Sequence, residues 1–275
     1  MTSQIKPVLV ATDLSPRSDR AVDRATFLAK RWNVPLIVLH AIEPDSKIAG
    51  NPVDDEEIIR GILPDPNADV IIVPAIGSAP TVIVEAAKSA NCSLIVTGVA
   101  RFNHIRDYFI GTAVDYVVRH STVPVLVVKQ RPHLPYTSIL VAIDCSSCAR
   151  QALLTAANLF PDAAIHVVHA YHVPYEGWLR SDGVKQECAE WAQADLDNFM
   201  QDVTIPQDLR DRLTTHLGYG ETPSVLWKTA ADVNADLVVL GTHGRSGFSQ
   251  AVIGSTADAL LQSMSCDTLM VREIS

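Results

Sequence analysis

The sequence predicts an α/β fold in which two similar domains each contain a parallel sheet. Short apolar runs alternate with helical stretches along all 275 residues, which is the pattern of βαβ units. The same order of runs occurs twice, in residues 1–132 and 133–275, and each copy has the usual size of a domain. A glycine-containing frame recurs near the end of each copy.

Each copy begins with an apolar run that ends in Asp-x-Ser, at residues 7–15 and 138–146. A buried parallel strand commonly ends in this way before a helix. Ser15 and Ser146 have the side chains preferred at helix N-caps, so we expect them to cap the helices that follow. Those helices are predicted over Arg17–Trp32 and Ala149–Leu159.

Four more strands are predicted in each copy. In the first copy they are Leu36–Ala41, Val70–Pro74, Ser93–Gly98 and Val123–Lys129; in the second they are Ala164–Ala170, Leu213–Leu217, Asp236–Gly241 and Asp267–Arg272. Between strands two and three, the apolar spacing from Val184 to Val203 predicts a long amphipathic helix. The matching stretch 43–69 contains four prolines and predicts at most a short helix over 54–62, so the first domain is trimmed there.

The glycine frame suggests a phosphate site. In the second copy Gly241-Thr242-His243-Gly244 is followed by nine residues and then Gly254-Ser255, which is G-x-x-G-x9-G-S. Gly241 and Gly244 can adopt φ > 0 and allow a ligand close to the backbone. A helix over Thr256–Met264 would direct free N–H groups at an anion. The alternative is structural, because Ser255-x-x-Asp258, like Thr112-x-x-Asp115, is also the pattern of a capping box.

Charge and composition narrow the class of ligand. Residues 1–132 hold 14 basic and 14 acidic residues, whereas residues 133–275 hold 8 and 17. An anion in the acidic copy must therefore be held by local N–H groups and by a metal ion on its phosphates. The acidity argues against nucleic-acid binding, and no apolar run reaches the length of a membrane span. We expect a cytoplasmic protein, and five cysteines argue against a disulfide framework.

Other reactive residues give weaker indications. Cys145-x-x-Cys148 lies at a helix start, where thiol pKa values fall, but the surrounding pattern is not that of thioredoxin.

His166 and His172 are about 20 Å apart on a regular strand, at roughly 3.3 Å per residue, so they cannot share one metal ion. His243 lies inside the glycine frame and could contact phosphate or only the loop backbone. No catalytic triad or carboxylate pair is evident, so any ATP hydrolysis would be slow and incidental to binding.

These motifs, in this order and present twice, resemble the universal stress protein family. The chain is similar to a tandem member with two such domains. The resemblance implies a doubly wound sheet of order 3-2-1-4-5 in each domain, as in the adenine-nucleotide hydrolases. It also implies that the fifth strands pair the domains about a pseudo-twofold axis, so that one chain imitates a dimer. Whether two chains associate further stays open.

The resemblance also implies an ATP site in the second domain. Carried onto this sequence, it places Ala142, Asp144 and Ala170 at adenine, Leu240 and Gly241 beside the ribose, and Gly244, Arg245, Gly254, Ser255 and Thr256 along the phosphates. In the first domain Asp13, Ala41, Gly98, Gly111 and Thr112 match this pattern, but Arg101 replaces the second glycine. Arg101 would either obstruct the phosphates or, with His104 and Arg106, bind an altered anion. We expect an empty or altered first site.

The sequence therefore predicts an ATP-binding stress-response regulator or adaptor that acts with magnesium and a protein partner. The predicted mechanism is a population shift, in which ATP orders the loop 241–255 and changes the surface for the partner. Two alternatives remain: a scaffold in which both glycine loops are structural, and a slow ATPase.

Overall fold

The computed structural model describes residues 5–42, 52–99, 101–104, 107–173, 182–244 and 252–273. These residues form one ten-stranded sheet, with helices on both faces, and a separate two-stranded hairpin. The first domain contributes strands β1 (Val8–Thr12), β2 (Leu36–Ile42), β3 (Ile71–Ile76), β4 (Leu94–Gly98), β5 (Arg101–His104), β6 (Asp107–Phe109) and β7 (Val125–Val128). The second contributes β8 (Ser138–Ile143), β9 (Ala164–Tyr171), β10 (Leu213–Tyr219), β11 (Leu237–Gly241) and β12 (Asp267–Val271).

The strand order of the large sheet is β10-β9-β8-β11-β12-β7-β4-β1-β2-β3. Each domain therefore has the order 3-2-1-4-5, which confirms the expected fold. All neighbouring strands are parallel except β12 and β7, the two fifth strands, which are antiparallel with Leu269 opposite Leu126. Antiparallel pairing of equivalent strands is the arrangement that a pseudo-twofold relation between the domains requires.

The helices cover both faces of the sheet, so the central strands are buried on both sides. Val10 and Val141 belong to one hydrophobic core, and Leu9 and Leu140 belong to the other. Burial on both faces explains why these strands are nearly continuous apolar runs. The helices are α1 (Asp19–Trp32), α2 (Pro52–Gly61), α3 (Ala79–Ser89), α4 (Thr112–His120), α5 (Ser147–Leu159), α6 (Asp182–Met200), α7 (Gln207–Arg210), α8 (Thr222–Asp232) and α9 (Ser255–Ser263). None of the described helices is long and apolar enough to cross a bilayer.

Helix starts differ from the sequence prediction at three places. Ser146 caps α5 as expected, because its hydroxyl accepts the Ala149 N–H at 3.1 Å. Ser15 does not cap α1, which begins only at Asp19 after an additional turn closed by the Ser18 N–H to Ser15 C=O bond. Neither predicted capping box forms, since Gly111 and Gly254 occupy the N-cap positions of α4 and α9. Thr112 and Ser255, which follow these glycines, are instead the first residues of the two helices.

Three further elements differ from the sequence prediction. Strand β3 continues through Pro74 to Ile76, which is tolerated because β3 lies at the sheet edge. The short helix α7 was not predicted. In the first domain, part of the glycine frame forms the β5–β6 hairpin, in which Arg101 is opposite Phe109. Strand β6 of this hairpin lies against α9 of the second domain.

The domain interface contains a buried polar network centred on Asp267. Its Oδ1 accepts the backbone N–H groups of Lys129 and Gln130 at 2.8 and 2.9 Å, and its Oδ2 accepts the Tyr136 hydroxyl at 2.5 Å. Arg24 on α1 brings its Nε within 3.6 Å of the same Oδ2 and places its guanidinium over the Tyr136 ring. A residue at the start of β12 thereby ties together α1 and the segment that links the two domains.

Candidate functional site

A cavity of about 260 Å³ lies at the carboxyl ends of strands β8, β9 and β11 in the second domain. Strand order reverses beside β8, because β9 lies on one side of it and β11 on the other. In open α/β sheets, ligands bind at this switch point, outside the carboxyl ends of the strands. The fold therefore places the cavity where a small-molecule site is expected.

Nine of the ten sequence-predicted site residues line this one cavity. They come from the ends of three strands, from the loop after β11 and from the start of α9: Ala142, Asp144, Ala170, Leu240, Gly241, Gly244, Gly254, Ser255 and Thr256. Arg245 lies outside the described residues, as does part of the predicted loop 241–255. The structure thus brings together residues that are separated by more than 100 positions in sequence.

Asp144 is held by a tight turn at the end of β8. Cys145, the next residue, has φ = 61°, a left-handed conformation that side chains other than glycine adopt at a cost. The Ser146 N–H donates to Asp144 Oδ1 at 3.1 Å. The first domain repeats this turn, with Leu14 at φ = 59° after Asp13. Both turns accept this strain at a residue other than glycine. We infer that the function of each turn is to fix the position of the aspartate carboxylate that precedes the strained residue.

In the first-domain turn, Asp13 accepts two hydrogen bonds from Ser15. Its Oδ1 receives the Ser15 N–H at 3.0 Å and the Ser15 hydroxyl at 2.6 Å. Partial burial raises the pKa of Asp13, but these hydrogen bonds outweigh it and hold the pKa below its usual value. Asp13 is therefore a carboxylate at neutral pH, on the rim of the first-domain cavity.

The two frame glycines are required by close contact rather than by backbone conformation. Neither Gly241 nor Gly244 has positive φ, which corrects the conformational part of the sequence prediction. A Cβ on Gly244 would lie 2.7 Å from Asp144 Oδ2, and a Cβ on Gly241 would lie 3.0 Å from Cys148 Sγ. The loop after β11 can approach the Asp144 carboxylate only because residue 244 has no side chain.

The start of α9 presents hydroxyl groups and backbone N–H groups at the rim of the cavity. Gly254, at the N-cap, is fixed by its N–H bond to the Thr242 C=O at 2.9 Å. Ser255 and Thr256 follow it and are exposed. The first N–H groups of a helix have no partner within the helix and favour an anion. This end of the site is suited to phosphate.

His243 lines the cavity and has one buried ring nitrogen without a hydrogen-bond partner among the described residues. Its Nδ1 is 2.8 Å from the Thr242 hydroxyl, while its Nε2 is buried and has no hydrogen-bond partner among the described residues. Buried polar atoms normally have partners, so this nitrogen leaves an unmet hydrogen bond beside the cavity. Thr222 and Thr242 also line the cavity and were not predicted. Thr222 could have been found from its position between Gly220 and Pro223, where α8 begins.

The first domain has a larger cavity at the equivalent place, of about 650 Å³. Asp13, Ala41, Gly98 and Gly111 line it as the resemblance implied, whereas Thr112 is not among its lining residues. Arg101 belongs to the β5–β6 hairpin, and the side chains of Arg101 and His104, like all of Arg106, lie outside what the structure describes.

Cys145 and Cys148 contact different elements. Cys145 Sγ lies 3.6 Å from the Asp195 C=O, and the buried Cys148 Sγ lies 3.5 Å from the Val271 C=O. Both are free thiols. This arrangement fits a chance placement of the two cysteines better than a redox pair.

His166 has a partner that the sequence did not reveal. Its Nδ1 lies 3.1 Å from Nε2 of His216 on the adjacent strand β10. Burial and the neighbouring imidazole lower the pKa of His166. Among the described residues, no group of three histidine, cysteine or acidic side chains is placed to hold a metal ion.

Comparison with known proteins places this geometry in a family. The model of the universal stress protein family matches residues 4–129 and again residues 135–272. A putative universal stress protein of Staphylococcus saprophyticus is 29% identical over 143 residues, which are 50% of this chain and 85% of that protein. A universal stress protein from Archaeoglobus fulgidus shares the fold over 97% of this chain and 98% of its own, with 18% identity and a TM-score of 0.70.

A universal stress protein solved in complex with cAMP is similar over a shorter stretch. It is 28% identical and matches 46% of this chain and 98% of its own length, with a TM-score of 0.36.

Proposed function

The chain belongs to the universal stress protein family, and from that premise we propose that its second domain binds an adenine nucleotide, ATP with Mg²⁺. One observation carries the proposal. Nine of the ten residues predicted from the sequence to form a nucleotide site, taken from four separate segments, line a single cavity at the switch point of the sheet.

The residues divide between the two ends of such a ligand. Ala142 and Ala170 have only methyl side chains, so a flat purine ring can lie close to the ends of β8 and β9. The cavity of about 260 Å³ is small for a complete ligand pocket, so the base and ribose would fill it and the phosphates would lie at its rim. There the N-terminus of α9 supplies hydrogen-bond donors.

A magnesium ion fits this site as a companion of the phosphates. Asp144 is the one carboxylate among the described residues that line the cavity. Magnesium is commonly held by one or two carboxylates together with substrate phosphates and water. Its charge would offset the phosphates in a domain with 17 acidic and 8 basic residues.

We propose that the protein acts as a nucleotide-responsive regulator or adaptor. The Thr242 C=O already accepts the Gly254 N–H, so the two ends of the glycine frame are joined beside the cavity. A nucleotide bridging them would stabilise this connection and alter the surrounding surface for a protein partner. Hydrogen exchange at Gly254 should slow with saturating ATP–Mg²⁺, and an unchanged exchange rate would contradict this mechanism.

The nucleotide site is tested by isothermal titration with a matched pair of blocking variants. Ala170 on β9 and Ala41 on β2 occupy equivalent positions in the two domains. We expect ATP–Mg²⁺ to bind once per chain to the wild type and to Ala41→Phe, and not to Ala170→Phe. Adenosine, ADP and cAMP titrated in parallel identify the preferred ligand. Circular dichroism confirms that both variants are folded.

Two results would support another function. Absence of binding by every adenine compound would leave the scaffold interpretation, in which both glycine loops are structural. Phosphate release that is lost in Ser255→Ala or Asp144→Asn would establish a slow ATPase instead.

A further inference from the structure

The first-domain cavity has the size of a complete ligand site. Its volume of about 650 Å³ is within the range of small-molecule pockets, roughly 300–1,000 Å³. It lies at the carboxyl ends of β1, β2 and β4, and its walls include Ile83 of α3 and Val114 of α4. Nothing in the nucleotide proposal accounts for a cavity of this size in this domain.

At three positions the phosphate side of this cavity lacks a hydroxyl group that the second domain has. Three lining residues of the first domain occupy the positions of three threonines in the second: Ala79, Val99 and Ala113 replace Thr222, Thr242 and Thr256. Burying a phosphate against methyl groups is costly, because the charged oxygens lose water and gain no hydrogen bonds. A phosphorylated ligand would therefore find fewer hydrogen-bond donors in this cavity than in that of the second domain.

At one position the first domain has a hydroxyl group where the second domain has an apolar side chain. Thr97, at the end of β4, occupies the position of Leu240 in the second domain. It is 3% exposed and lines the cavity, and its Oγ1 has no hydrogen-bond partner among the described residues. An unpaired buried hydroxyl destabilises a protein unless a ligand pairs with it. Among the described lining residues, Thr97 is the one whose buried side-chain polar atom has no hydrogen-bond partner, so it can offer a polar contact deep in the cavity.

The described part of the remaining lining favours a neutral ligand. Among the described lining residues, Asp13 and Arg17 are the ones that carry full charges, and they lie at the rim with opposite signs. Ala11 and Ala41, on neighbouring strands, have only methyl side chains. A flat ring can therefore lie against the sheet, surrounded by the aliphatic side chains of the helices.

We propose that the first domain binds a neutral aromatic molecule that carries a single carbonyl or hydroxyl group. Its rings lie over Ala11 and Ala41, and its polar group forms a hydrogen bond with Thr97 Oγ1. The two domains then bind chemically different ligands, and the site is independent of nucleotide binding in the second domain.

Nile red is a suitable probe because it is neutral and aromatic, carries a carbonyl group and fluoresces in apolar surroundings. Titration of the full chain should give saturable binding of one dye per chain, and saturating ATP–Mg²⁺ should not displace it. Ala41→Phe should weaken binding at least about ten-fold by filling the cavity, whereas Ala170→Phe should leave it unchanged. Absence of saturable binding, or equal binding to both variants, would overturn the proposal.

Thr97→Val tests the hydrogen bond without changing the shape of the side chain. It should weaken Nile red about five-fold, as expected for loss of one hydrogen bond, and leave the affinity for pyrene, which has no polar group, unchanged. The same variant should raise the unfolding temperature of the free protein, because it removes an unpaired buried hydroxyl. Equal effects on both dyes, or no effect on Nile red, would contradict the role assigned to Thr97.

Discussion

The backbone N–H of Lys129 donates a hydrogen bond of 2.8 Å to the buried carboxylate of Asp267, so the residue that follows the last strand of one domain is fixed by the other domain. The Lys129 side chain crosses the same interface, and its Nζ donates to the Leu261 and Met264 carbonyl oxygens at the end of α9. Arg272 makes the pseudo-symmetric contact, from its Nη1 to the Arg119 C=O in α4 at 2.8 Å. The fifth strands thus hold the two domains together through polar as well as apolar contacts.

Replacement of Asp267 should strongly destabilise the protein. Asp267→Asn leaves the buried Arg24 without its countercharge, so we expect a loss of about 3–5 kcal/mol in the free energy of unfolding. Guanidinium denaturation followed by circular dichroism measures it. The control is Asp162→Asn, which removes the exposed ion pair with Arg31 and should cost less than about 1 kcal/mol. Equal losses in the two variants would show that the Asp267 network has no special importance.

Lys129 should make stability depend on pH in the alkaline range. Burial lowers the pKa of Lys129 from 10.5 to about 8, although the nearby Cys266 and Asp267 oppose this shift. Between these two values the unfolded chain binds more protons than the folded protein, so rising pH stabilises the fold. Compared with Lys129→Met, the wild type should gain about 3 kcal/mol between pH 7 and pH 11.

The comparison with Lys129→Met is needed because other groups oppose this trend. Burial raises the pKa of Cys92 and of Cys266 to about 11, so both thiols favour unfolding as the pH rises above 9. We therefore compare the free energies of unfolding of the two proteins at each pH. Their difference does not contain the contribution of Cys92, because both proteins share it. A stability difference that does not change with pH would contradict the lowered pKa of Lys129.

The five cysteines should react at two distinct rates. Cys92, Cys148 and Cys266 are buried, whereas Cys145 and Cys188 are partly exposed. Ellman's reagent should therefore modify two thiols quickly and the other three only on unfolding. Cys145→Ser should remove one fast thiol and leave the slow group intact. Rapid formation of a Cys145–Cys148 disulfide in mild oxidant would restore the redox interpretation of the C-x-x-C pattern.

The ten main strands could be predicted because burial on both faces makes each an apolar run. The hairpin between Arg101 and Phe109 could not, because its short strands are mainly polar and aromatic and lie outside the main sheet. Nine residues separate Arg101 from Gly111, as nine separate Gly244 from Gly254 in the second domain. This equal spacing gave no sign in the sequence that the first domain forms a hairpin here. The extension of β3 was missed because a proline within a run usually ends a strand, and only the sheet order shows that β3 is an edge.

Site residues that follow strand ends were predictable, whereas contacts between strands were not. Asp144 and Gly244 follow apolar runs, so their convergence could be expected from a parallel sheet. The pairing of His166 with His216 depends on register between strands that are 50 residues apart. Thr97 appeared to be an ordinary strand residue, because the absence of a hydrogen-bond partner is a property of its surroundings.

The central claim, that the second domain is the nucleotide site, is tested most directly by titrating ATP–Mg²⁺ into Gly244→Ala. The added methyl group would lie 2.7 Å from Asp144 Oδ2, so it must displace the loop or the carboxylate. Gly183→Ala is the control, because a Cβ there has no neighbour within 4 Å. The account predicts one site per chain in the wild type and in Gly183→Ala, and at least about ten-fold weaker binding in Gly244→Ala. Undiminished binding to Gly244→Ala, or no binding to the wild type, would contradict it.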